Sequence, residues 1–107
     1  MNKLFLFVLL LTGLAVPGEA KADTEDIMHA LTQGMPADVS DFIYRRVECN
    51  HWEGEEPYDA ERAGEIEAAT LRLGCEDLPQ QEQSLREFYS GEPTVLESLY
   101  KATDLVF

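Results

Sequence analysis

The sequence is poor in cationic side chains. Its 107 residues hold 8 Lys and Arg against 21 Asp and Glu, a formal net charge of -13. Phosphate neutralisation needs clustered Lys and Arg, so this balance argues strongly against a nucleic-acid-binding surface. Docking on anionic lipid headgroups meets the same objection. Catalytic signatures are equally scarce. There is no Gly-x-Ser-x-Gly elbow, no His-Glu-x-x-His, no Asp-x-Asp-x-Asp-Gly calcium loop and no phosphate-binding Gly loop, which leaves a conventional hydrolase without support. The two cysteines, Cys49 and Cys75, are not spaced Cys-x-x-Cys, so a thioredoxin-type role is not indicated either.

Long apolar runs are missing too, with one exception at the start. Leu4 to Val16 is almost wholly apolar and follows a short basic Met1 to Lys3. At about 13 residues it is shorter than the ~20 needed to cross a bilayer core as a helix. Pro17 to Ala22 breaks the run and ends in Ala20-Lys21-Ala22, the small-x-small pattern that signal peptidase reads. The expectation is a cleaved signal peptide over 1–22 and a single domain over 23–107, exported to the periplasm or beyond, with no membrane anchor after cleavage. Removing Lys3, Lys21 and Glu19 with the leader leaves 6 basic and 20 acidic side chains, a net charge of -14 on 85 residues. A domain of this size has a modest core. In an oxidising compartment its two cysteines are expected to pair, Cys49 with Cys75.

No stretch alternates apolar and polar residues as a half-buried strand would, whereas helical spacing recurs. The expected fold class is all-α, a small bundle of about five short helices stapled by one disulfide. The first helix starts near Thr24, carries Ile27, Met28 and Leu31, and stops at Gly34. The second, after Pro36 or capped by Ser40, has the stripe Val39, Phe42, Ile43 and Val47 and ends at Cys49. Asn50 to Tyr58 reads as a connection punctuated by Gly54 and Pro57. Asp59 caps a third helix with Ala63, Ile66, Ala69, Thr70 and Leu73 inward and Gly74 as its stop. Its small residues Ala60, Ala63, Ala68 and Ala69 suggest close packing by another helix. Leu78-Pro79 opens a fourth helix that buries Leu85, Phe88 and Tyr89 and ends at Gly91. Pro93 opens the fifth, with Val95, Leu96, Leu99 and Tyr100 at helical spacing. Because two consecutive helices of a hairpin end at opposite ends, a bridge between both C-termini implies a steep crossing or one short helix.

From Glu48 to Arg62 the chain reads ECNHWEGEEPYDAER, its densest concentration of chemically capable groups. This run, with the second cysteine downstream, resembles small exported proteobacterial proteins that carry Cys-Asn-His-Trp, Gly-Glu-Glu and Tyr-Asp-x-x-Arg. The resemblance covers roughly Arg46 to Cys75 and implies a family and an exported compartment; it implies no activity. The candidate partner-binding residues are His51, Trp52, Glu53, Glu55, Glu56, Tyr58 and Asp59. If the rings of Trp52 and Tyr58 are exposed, an aromatic pair inside an acidic rim has the composition of a hot spot for a basic partner. If they fold inward, they cover the disulfide. A weaker metal reading rests on Glu48 with His51 and Asp26 with His29, both acid-x-x-His at the i, i+3 spacing that di-iron bundles use.

Three functions compete on this basis. The leading one is a non-enzymatic periplasmic binding protein, of the inhibitor or immunity type, for a basic periplasmic or envelope protein. An acid-stress chaperone is the second, since twenty carboxylates titrating near pH 4 would swing the charge widely. A small metal-binding protein or enzyme built on His51, Glu48, His29 and Asp26 is the third. No catalytic residue and no cofactor is assigned.

Overall fold

The computed structural model describes residues 23–107, and the leader expected over 1–22 lies outside them. The described chain is all-helical: α1 (Thr24–Thr32), α2 (Ala37–Glu53), α3 (Ala60–Leu73), a 3-10 turn at Cys75–Asp77, α4 (Leu78–Phe88) and α5 (Pro93–Ala102). Local chemistry sets most boundaries. The Asp23 carboxylate accepts the Asp26 N–H at the start of α1, and the Asp59 carboxylate accepts the Arg62 N–H at the start of α3. Each satisfies one of the donors a helix start leaves open. Gly74 closes α3 with φ 69°, the left-handed region where a Cβ is strained. Ser40 is not a cap: it lies inside α2, and its hydroxyl donates to the Thr32 carbonyl across the α1–α2 turn.

The central element is α2, which packs against α1, α3, α4 and α5. Its stripe Val39, Phe42, Ile43 and Val47 is buried, as the spacing requires, and meets Met28 and Leu31 of α1, Leu78 of α4, and Val95, Leu99 and Ala102 of α5. Other inward assignments need correction. Ala63 is exposed, as are Ala60 and Ala68; of the small residues of α3 named above, only Ala69 is buried. Among the described residues α3 meets the core along one edge, with Ala69 buried and Ile66, Thr70 and Leu73 half-buried, which leaves the rest of the stripe outside. Phe88 and Tyr100 are also outside, 78% and 74% exposed. The end of α4 falls at Phe88, before Gly91, so Tyr89 alone turns inward there, and the Phe88 ring contacts it edge to face.

Cys49 and Cys75 are bonded, with Cα atoms 5.7 Å apart. The difficulty of joining two helix C-termini disappears because Cys49 does not end its helix: α2 continues to Glu53, a full turn further. The connection therefore shrinks to the six residues from Gly54 to Asp59, and Asn50, His51 and Trp52 are helical. α3 then returns antiparallel along α2. At its start Arg62 sits over Trp52, and at its end the Leu73 carbonyl accepts from Nε and Nη2 of Arg45 at 3.1 and 3.0 Å. The bridge thus ties the end of α3 to the inside of α2, beside the Arg45 contact.

Candidate functional site

Where α2 hands over to α3, one side chain organises the corner. The Arg62 guanidinium lies 5.1 Å from the Trp52 ring centroid. From that position it donates through Nη2 to Glu55 at 2.7 Å and through Nη1 to Glu65 at 2.8 Å. Its Nε is buried without a partner among the described residues, so the position over the Trp52 ring and the two carboxylates carry the interaction. The hydrogen bond from Arg62 holds the Glu55 carboxyl below its ordinary value, and Glu55 in turn raises the Arg62 guanidinium further. Arg62 is the fourteenth residue after Glu48 in the run described above, and sequence reasoning gave it no role. The signal that marks it is the Asp-x-x-Arg spacing, which puts the side chain in the first turn of α3 behind its cap.

Two more side chains of α2 fasten the opposite flank. The Asn50 amide donates from Nδ2 to the carbonyls of Ala102, Thr103 and Leu105 at 3.0 to 3.1 Å, fastening the end of α5 and the turn that follows it, where the Ala102 carbonyl also accepts the Leu105 N–H. His51 Nδ1 lies 3.3 Å from the Phe107 main-chain oxygen, and its Nε2 lies 3.5 Å from Glu55. The His51 and Trp52 rings meet edge to face at 5.5 Å.

The seven candidate binding residues therefore divide. His51, Trp52 and Glu55 are half-buried parts of the corner, and Asp59 is its exposed helix cap. Glu53, Glu56 and Tyr58 face solvent, Tyr58 at 77% exposure, with no cation paired to either glutamate among the described residues. Neither alternative for the two rings holds as a pair: Trp52 turns in and Tyr58 turns out.

A groove of about 670 Å³ opens between α1 and α2 beside this corner. Met28 and Val47, both buried, form its floor, and Tyr44, Trp52 and Phe107 supply aromatic walls. Glu25, Asp26 and Glu48 line it with His29 and His51, and among the described residues no Lys or Arg does. All four residues of the weaker metal reading, Asp26, His29, Glu48 and His51, thus share one groove. They do not converge: among the described residues no three His, Cys, Asp or Glu side chains stand close enough to hold one ion. Also among the described residues, no helix is long and apolar enough to cross a membrane.

Comparison with protein-family models, with curated proteins and with solved structures found no match to this chain. What the site can do rests on its chemistry alone.

Proposed function

We propose that the protein is a non-enzymatic periplasmic binding protein for a basic periplasmic or envelope partner, and that the Glu53–Asp59 turn is part of the surface that meets it. The observation that carries this reading is the exposed tip of the turn. Tyr58 stands out of a scaffold fixed by Arg62 and Glu55, in a turn whose Glu53 and Glu56 pair with no cation among the described residues. A rigidly mounted tyrosine offers contact area at little entropic cost, and surrounding carboxylates select cationic surfaces and speed their approach. The whole chain supports the same polarity. Of its acids, only Glu55, Glu65, Glu82 and Glu97 pair with an Arg or Lys among the described residues. The disulfide is consistent with export to an oxidising compartment.

The test is capture from periplasmic extract at low salt on immobilised mature domain, with Glu53→Lys/Glu56→Lys and Tyr58→Ala variants beside it. These positions are exposed, so their substitution leaves the fold in place. A basic protein retained by the native domain and lost by both variants is the expected result. Absence of any basic partner, or equal retention by the variants, removes the proposal.

A further inference from the structure

The groove between α1 and α2 shares Trp52 and His51 with the corner, and the rest of its lining carries the features of a ligand site. Its volume of about 670 Å³ lies in the range of pockets that bury a compact ligand or a few side chains. Its floor is apolar, at Met28 and Val47, while its charged lining is acidic, at Glu25, Asp26 and Glu48, with no Lys or Arg among the described residues. The arginines of the same stretch of α2 point elsewhere: Arg45 to the Leu73 carbonyl and Gln81, Arg46 to Glu82. An apolar floor under an acidic rim matches a side chain with an aliphatic stem and a cationic head, which is Arg or Lys. Trp52 lines the groove, and its ring already holds one guanidinium, that of Arg62. An anionic ligand would meet like charge from both helices, at Glu25 and Asp26 of α1 and at Glu48 of α2.

We infer that this groove receives an amphipathic cationic segment of a protein partner, whose Arg or Lys heads meet Glu48 and Asp26 while its apolar residues lie on Met28 and Val47. The inference rests on the reading of the protein as a binder of basic partners and places a second, concave part of the interface next to the exposed Tyr58 turn. His51 and Trp52 line the groove and also belong to the corner, so a single partner can engage both.

Trp52 is the only tryptophan of the chain and therefore reports on the groove directly. The probe is a synthetic peptide of about twelve residues with Arg and Leu at helical spacing, titrated into the mature domain while Trp52 emission is followed. Spermine and a peptide with Glu in place of Arg run in parallel. Saturable change with the Arg-Leu peptide alone is expected. Asp26→Lys/Glu48→Lys should weaken it at least about tenfold, Glu48→Gln should weaken it less, and Glu87→Lys, exposed on α4 and outside the groove, should leave it within about twofold. Overturning results are an unchanged Trp52 signal, equal binding by the Asp26→Lys/Glu48→Lys variant with a native circular dichroism spectrum, or spermine binding as tightly as the peptide. A native partner still retained by that variant sinks the groove and leaves the Tyr58 surface standing. Peptide binding without any periplasmic partner sinks the general proposal and leaves the groove.

Discussion

Asn50 closes the end of α5 by donating one amide to three carbonyls, and its place in the sequence, directly after a cysteine, gives no hint of that. Asn50→Ala should lower stability by about 1–3 kcal/mol, because the part-buried Thr103 and Leu105 carbonyls lose the Asn50 donor. Asn50→Asp should be worse, since it faces the same oxygens with negative charge; urea denaturation of the two variants measures both. Glu55 makes a pH prediction. Its carboxyl is held below its ordinary value of 4.5, first by the hydrogen bond from Arg62. A group lowered in the folded state contributes stability that is complete above the ordinary value and is lost as pH falls through the lowered one. Glu55→Gln should therefore flatten the acid limb of the stability curve below pH 4.5, and its stability should converge with that of the native protein at the acid end. An unchanged acid limb would show that the Arg62 contact does not persist in solution. At this scale the sequence was readable where a residue acts on its neighbours, as Asp59 does on Arg62. It was opaque where partners lie far along the chain, as for Asn50 and the end of α5.

Among the helices, those with a stripe and a stop signal were the legible ones. The α2 stripe had to be buried because four apolar residues at helical spacing leave no other stable place for that face. Gly74 had to end α3 because it is the residue type that tolerates a left-handed stop. The end of α2 was misjudged because a cysteine and a polar run look like a boundary, whereas the chain stays helical until Gly54. The Ala-rich face of α3 misled for a related reason: Ala favours helix whether or not anything packs on it. Two glycines separate these effects. Gly74→Ala should destabilise by about 1 kcal/mol, because it combines a positive φ with a Cβ placed 3.2 Å from Arg45 Nη2. Gly64→Ala, inside α3 with nothing within 4 Å of the new Cβ, should stabilise by about 0.5–1 kcal/mol; thermal melts of both report the sign. Reduction of the Cys49–Cys75 bridge, which spans 26 positions, should cost about 3.5 kcal/mol on the chain-entropy view. That is a large share of the stability of a fold the size of residues 23–107, and denaturant midpoints with and without reductant measure it.

Over the whole molecule, charge is the feature that composition made plain and structure redistributed. The dense acidic run after the first cysteine does not form one uniform patch. Glu55 turns in to clamp Arg62, while Glu53 and Glu56 are left outside with Tyr58. Asp26 and Glu48, distant in sequence, come to line one groove because α1 packs on α2. Periodicity could place each on its helix but not the helices on one another, so the turn was legible and the groove was not. Both surfaces are acidic, and among the described residues no Arg or Lys pairs with Glu53 or Glu56 or lines the groove, so association with a basic partner should be governed by long-range attraction. The most direct measurement is the association rate of the captured partner across a salt series, for the native domain and the Glu53→Lys/Glu56→Lys variant. The native rate should fall by about tenfold or more from about 20 mM to about 300 mM salt and converge there with that of the variant. A rate indifferent to salt, or equal for the two proteins at low salt, would contradict a surface built to meet cations.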